Sequence, residues 1–273
     1  MIKLKNFYFS ILLFVLIVLS VSCFPEDDNS REMIKEEFYI GVSSSHYVDV
    51  NLNQEPVLIA GTGQFLENIT SFVNKGENKI EIVVHSHDAS VSSATEIVVI
   101  RGKNIYDGEI VLEKRDVLLN DNDVVAFTDS FVVENIDIRD RYLAEAEVIN
   151  ELNEEALIAG VNVLVQKVFD AYKNLDFIAL NNLMYSSKGY KSKFDNEVRR
   201  LQADLAGEEI EMEFAGLENL DLHFGRKTIL VRNKEGGLLV RSNHLVEEGL
   251  NLPVIELEKI WLIKVDSEWY VLP

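Results

Sequence analysis

His85-Ser86-His87-Asp88 is the most ligand-like cluster in the chain. On a strand, His85 and His87 would share a face, as two imidazoles of a transition-metal site can. No third ligand of matched spacing accompanies them, and His87-Asp88 reads as a loop, so the expectation is a strand end with exposed polar residues and no metal is assigned. His223 and His244 each fall in a predicted strand. Along Val240, Ser242, His244 and Val246 the histidine shares a face with apolar residues, which would let it line a cavity. Tyr172 and Asp176, at the end of an earlier helix, complete a candidate cavity of Tyr172, Asp176, His223 and His244. An imidazole there could exchange a proton with a small molecule. A histidine satisfied in the core or at its rim is the commoner role, and spacing pairs no further catalytic group with either one, so no catalytic residue is assigned.

Other local patterns carry less. Gly61-Thr62-Gly63 lacks the lysine and spacing of a phosphate loop and reads as a turn. Asn68-Ile69-Thr70 matches a glycosylation sequon by chance. No nucleophile elbow, H-E-x-x-H or C-x-x-C occurs, and no cofactor is implied. A single cysteine, Cys23, excludes a disulfide within one chain and a cysteine-based zinc site. The balance of 46 acidic against 26 basic side chains would repel a phosphate backbone, so nucleic acid is excluded as a partner. Such acidity ordinarily serves solubility.

The elements that must position these residues begin with an export pattern. Lys3 and Lys5 precede an apolar run from Phe7 to Val21, broken only by Ser10 and Ser20. That run is shorter than the roughly 20 residues a membrane span needs and suits a signal h-region. Leu19-Ser20-Val21-Ser22-Cys23 resembles the lipobox of bacterial lipoproteins, although Ser20 stands where that family prefers leucine. The resemblance implies a signal peptide over 1–22 and a diacylglycerol on Cys23, with an acylated amino terminus. It also implies a palmitate-bearing protein held in the bacterial cell envelope, at the outer membrane or cell surface rather than the inner membrane. Residues 23–36, with Glu26, Asp27 and Asp28, read as a polar tether.

From 37 to 134 the pattern is short β-type runs: Phe38–Val42, Tyr47–Leu52, Pro56–Ala60, Lys79–His85, Thr95–Arg101, Gly108–Lys114, Val124–Phe127 and Ser130–Val133. Eight such runs predict an antiparallel β-sandwich. The stretch Asn68–Ile82, with Gly76-Glu77-Asn78 as a turn and Ile80 and Ile82 pointing to the core, is similar to a phrase in jelly-roll domains attached to glycoside hydrolases. Residues 135–154 read as a linking helix, amphipathic from Arg139 to Leu152, and the domain boundary is placed there.

From 155 to 273, helices are predicted over Glu155–Leu175, Phe177–Met184 (N-capped by Asp176) and Tyr190–Leu205. Strands follow over Glu209–Phe214, Leu220–Phe224, Thr228–Arg232, Leu238–Val246, Ile255–Val265 and Trp269–Leu272, with Asn233-Lys234-Glu235-Gly236-Gly237 as a hairpin link. The helix phrase Val168–Asp176 and the closing strands Glu258–Val265 and Glu268–Leu272 resemble the nuclear transport factor 2-like, or cystatin-like, cone fold. The whole is expected to be α+β: an N-terminal antiparallel β-sandwich followed by three helices packed on a curved antiparallel sheet. The favoured function is a non-enzymatic binding or assembly module for a protein, glycan or small envelope ligand. Alternatives are a small-molecule enzyme using a cavity histidine and a structural spacer in an envelope complex.

Overall fold

Alternation of apolar and polar residues drives the first strands to bury every second side chain. β1 (Glu37–Ser44) and β2 (Tyr47–Leu52) both do so, burying Phe38, Ile40 and Val42, and Val48, Val50 and Leu52. The computed structural model describes residues 37–86, 95–102, 107–117, 124–134, 142–149, 153–185, 199, 202–203, 210–242 and 255–272. All of these fall within one compact unit, Glu36–Pro273. None of the described helices is long and apolar enough to cross a membrane.

The first half adds β3 (Glu55–Ala60), β4 (Gly63–Asn68), β5 (Gly76–His85), β6 (Thr95–Gly102), β7 (Glu109–Val117) and β8 (Val124–Val133). They form two four-stranded sheets, in the orders β4-β1-β6-β7 and β3-β2-β5-β8, and all their ladders are antiparallel. Ile80 and Ile82 enter the shared core as expected. Asn53-Gln54 form the two-residue β2–β3 turn with positive φ at both positions (54° and 71°), the geometry that matches strand twist. Asn78 is fully buried and ties this region together. Its amide oxygen accepts from Asn53 Nδ2 (2.9 Å) and Asn74 N (2.7 Å), and its Nδ2 donates to Asn74 O (2.8 Å).

The count of eight strands matches the sequence reading through two compensating differences. β4 lies where only a turn and irregular chain were read, because its residues alternate without being buried. Val124–Phe127 and Ser130–Val133 are one continuous strand, since Thr128 and Asp129 stay in the β5 ladder.

Of the predicted linking segment 135–154, the described residues before Asn153 hold one helical turn, α1 (Tyr142–Glu145). Beyond it the backbone is drawn into tertiary hydrogen bonds instead of helical ones: Glu147 N to Lys264 O (2.7 Å) and Ile149 N to Arg226 O (2.9 Å), with Ile149 fully buried. Two helices follow. α2 (Glu154–Lys173) starts where the Asn153 side chain accepts from Ala156 N, carries Glu154 and Glu155 in its first turn and Lys173 in its last, and buries a stripe including Leu157, Val161, Leu164 and Val168. α3 (Phe177–Leu183) is capped by Asp176, whose carboxylate accepts from Ala179 N at 2.9 Å, as the sequence indicated.

The remaining strands are β9 (Met212–Phe214), β10 (Leu220–Phe224), β11 (Thr228–Asn233), β12 (Val240–Ser242), β13 (Glu256–Leu257), β14 (Lys259–Val265) and β15 (Glu268–Leu272). They do not make one curved sheet. β10-β11-β14-β15 form one antiparallel sheet and β13-β12-β9 another. The Asn233–Gly237 link is a turn between those sheets and not a hairpin, because β11 pairs with β10 and β14, while β12 pairs with β9 and β13.

The expected α+β class, with three helices packed on a curved antiparallel sheet, is therefore overturned. Among the described residues, strands account for 54% and helices for 23%, in four antiparallel sheets. The predicted third helix, Tyr190–Leu205, lies mostly outside the described residues, and the three described within it, 199, 202 and 203, are helical. The physical difference shows in β11, where Thr228, Ile229, Leu230 and Val231 are buried in succession, as happens when both faces of a sheet are covered. Ile229, Val231, Leu262 and Val271 pack with α2 and α3 on one face. On the other face, Ile263, Val265 and Leu272 join the sandwich core. Gly160 of α2 lies directly under the Trp269 indole, where an added Cβ would come within 2.3 Å of Nε1, so the helix sits this close to β15 only without a side chain there.

Candidate functional site

The β10–β11 ladder decides what His223 can do. Asp221 and His223 are two apart on β10 and share a face, and Asp221 is registered opposite Arg232. His223 Nε2 lies 2.8 Å from Asp221 Oδ2, and Arg232 Nε donates to the same oxygen at 3.1 Å. The three side chains are about one-third exposed, at 31%, 31% and 28%. Arg232 also donates through a terminal nitrogen to Ile59 O of β3, at 3.4 Å. Burial pushes the Asp221 carboxyl up, but hydrogen bonds and charge from His223 and Arg232 outweigh it, and its net shift is downward. Asp221 is thereby held as a carboxylate, and His223 is oriented by it in the manner of a histidine–aspartate pair.

The expected cavity lining does not come together. Tyr172 packs edge-on against Phe177 with ring centroids 6.3 Å apart in the helical layer, and burial pushes its phenol up. Asp176 is exposed and engaged as the α3 cap. His223 lies on the sheet face turned away from those helices, on the same face as Arg232 and beside β3. His244 and Cys23 lie outside the described residues, as does His87. His85 turns to Asp49, with Nε2 2.9 Å from Oδ2, on the outer face of its sheet. Among the described residues, no group of three His, Cys, Asp or Glu side chains is placed to hold a metal ion.

Asp221 and Arg232 escaped the sequence reading, although the Asp-x-His spacing on β10 and the short turn to β11 carried the signal. Glu55 escaped it with no such signal. It is 3% exposed and accepts from Lys227 N (3.0 Å), Thr228 N (3.0 Å) and Thr228 Oγ1 (2.9 Å). Burial raises its pKa, and those hydrogen bonds only partly offset the rise. Gly225 makes the joint possible, since an added Cβ would stand 2.3 Å from Glu55 Oε2 and 2.6 Å from Pro56 Cδ. Trp261 Nε1 donates to Pro56 O at 2.7 Å, and its ring lies 5.7 Å from that of Phe72. Lys259 pairs with Glu67 and sits 5.3 Å over the Trp261 ring.

The fold and this polar joint define a class: a β-rich body whose two-sheet sandwich is flanked along one side by a further sheet backed by helices. No family model, curated protein or solved structure matches the chain.

Proposed function

We propose that this chain is a lipid-anchored, non-enzymatic binding or assembly module of the bacterial cell envelope, held to the membrane through Cys23 and presenting its β-rich body to a protein or glycan partner. The address rests on the N-terminal pattern: Lys3 and Lys5, the apolar run to Val21, and Ser22 before Cys23. Two or more acyl chains give stable anchorage where one is marginal.

The observation that carries the binding reading is the way His223 is engaged. Its Nε2 meets Asp221, Asp221 meets Arg232, and Arg232 meets the Ile59 carbonyl. That chain of contacts ends in the backbone of the sandwich, so the polar cluster acts as a fastener between layers. In the binding reading the Asp221–His223 pair holds the layers together, whereas a dyad for proton transfer would bring its second imidazole nitrogen to a substrate.

Two measurements test the proposal. Fatty-acid labelling and mass spectrometry of the mature N-terminus should find an acylated peptide beginning at Cys23, and Cys23→Ala should lose the label and release the protein from the membrane fraction. An unlabelled wild type, or one that retains Met1, contradicts the anchor. His223→Gln should leave in-cell cross-linking to envelope partners unchanged. A folded His223→Gln variant that loses a measurable turnover contradicts the non-enzymatic reading.

A further inference from the structure

β8 differs from the other long strands of the sandwich. It closes one end of the β3-β2-β5-β8 order, and among the described residues it is laddered on one side only, to β5. Its ten residues read VVAFTDSFVV, without proline or lysine. Val132 is 63% and Val124 48% exposed. The strand's single charge, Asp129, is neutralised within the chain by Lys114 Nζ at 3.0 Å. A long, largely apolar edge of this kind, whose one inward-pointing charge is already paired, can serve as a template for another strand.

We propose that β8 is a self-association edge, and that two copies of this chain pair their β8 strands antiparallel about a twofold axis at Thr128. The positions of the two exposed valines favour a second copy as the occupant, in this register. Continuous sheet faces across a twofold axis require even-numbered offsets, since a shift by one residue sets outer side chains against inner ones. With Thr128 on the axis, Val124 stands opposite Val132 of the second copy, Ala126 opposite Ser130, and Thr128 opposite itself. The two most exposed valines of the strand thus cover each other at both ends. On the inner face, Val125 meets Phe131, and Phe127 meets Asp129. Moving the axis one residue, to Asp129, would set that carboxylate directly against its own copy, which is destabilising. The resulting interface is isologous and closed, and it joins two four-stranded sheets into one of eight strands.

Cysteine cross-linking of the full chain reads the register directly, because Cys23 is its only native cysteine. Residues facing each other across an antiparallel pair have Cα atoms about 4.5–5.5 Å apart. That separation lies within disulfide reach. Under mild oxidation in membranes, Thr128→Cys should give a disulfide-linked dimer absent from the wild type. Ala126→Cys alone and Ser130→Cys alone should not, whereas the two co-expressed should. Adding Val132→Lys to Thr128→Cys should abolish the dimer, because a lysine on the edge opposes Val124 of the second copy. A Thr128→Cys chain that stays monomeric overturns the proposal. So does an Ala126→Cys chain that cross-links to itself equally well, which would indicate collision or another register.

Discussion

The sandwich has two sides where strands run out, and the molecule treats them oppositely. On the β3 side, several polar groups meet a partner from the C-terminal half. Pro56 O and Ile59 O accept from Trp261 and Arg232, Glu67 pairs with Lys259, and Glu55 takes three hydrogen bonds from Lys227 and Thr228. On the β8 side, the strand has one ladder partner among the described residues and carries exposed valines. The difference shows that the β10-β11-β14-β15 sheet packs along part of the sandwich. It satisfies an edge that would otherwise offer free backbone groups to any passing strand. The β8 edge, which no described strand covers, is largely apolar, and the proposed pairing with a second copy would satisfy it.

The largest effect should come from breaking the sealed side. Trp261→Ala removes a large ring packed on Phe72 together with the donor to Pro56 O, and should cost about 3 kcal/mol in urea unfolding. A loss below about 1 kcal/mol would mean that the two halves are not energetically joined there.

Glu55→Ala comes next. It leaves the amides of Lys227 and Thr228 and the Thr228 hydroxyl without their acceptor, at about 2–3 kcal/mol. The same residue gives the joint a pH signature. Because burial raises the folded-state pKa of Glu55, and of Glu67, their contribution is fully present below the ordinary glutamate pKa and is lost as pH rises through the raised values. Asp221 has the opposite sign: its lowered pKa gives stability present above the ordinary aspartate value and lost as pH falls through the lowered one. Glu55→Gln should therefore flatten the fall in stability above pH about 4.3, the ordinary glutamate pKa. An unchanged slope would remove Glu55 as its source.

The smallest effect on stability should come from the open side. At protein concentrations too low for association, Val132→Lys should change the unfolding free energy by no more than about 0.5 kcal/mol, because Val132 is largely exposed. A loss comparable to that of Trp261→Ala would mean that Val132 belongs to the core of a single copy.

Much of this architecture was legible in residue order, and what was not has identifiable causes. Strict alternation marks β1, β2 and β5, and the apolar stripe and flanking caps mark α2 and α3. β4 was hidden because Gly63–Asn68 buries none of its side chains. The linking helix had helical spacing, yet Glu147 and Ile149 gained more from hydrogen bonds to Lys264 and Arg226 than from another turn. Asn233–Gly237 was read as a hairpin and is only a turn, because local sequence cannot say that the strands it connects enter different sheets. The candidate cavity failed for a related reason. Tyr172 and His223 are assigned to opposite faces of β10-β11-β14-β15 by pleat parity and by which layer packs on each face, and the second of these is a tertiary fact. Glu55 was invisible because its three donors lie more than 170 residues away.

Amide hydrogen exchange of the purified protein at two concentrations compares the two sides in one experiment. Peptides spanning Val57–Ala60 should exchange only at the global unfolding rate, and equally at both concentrations. Peptides spanning Val124–Val133 should exchange faster when dilute and slow down as concentration rises, because half of their backbone groups await a second strand. Protection of β8 that ignores concentration, or a β3 segment that exchanges faster than β8, would contradict the distinction between a sealed and an associating edge.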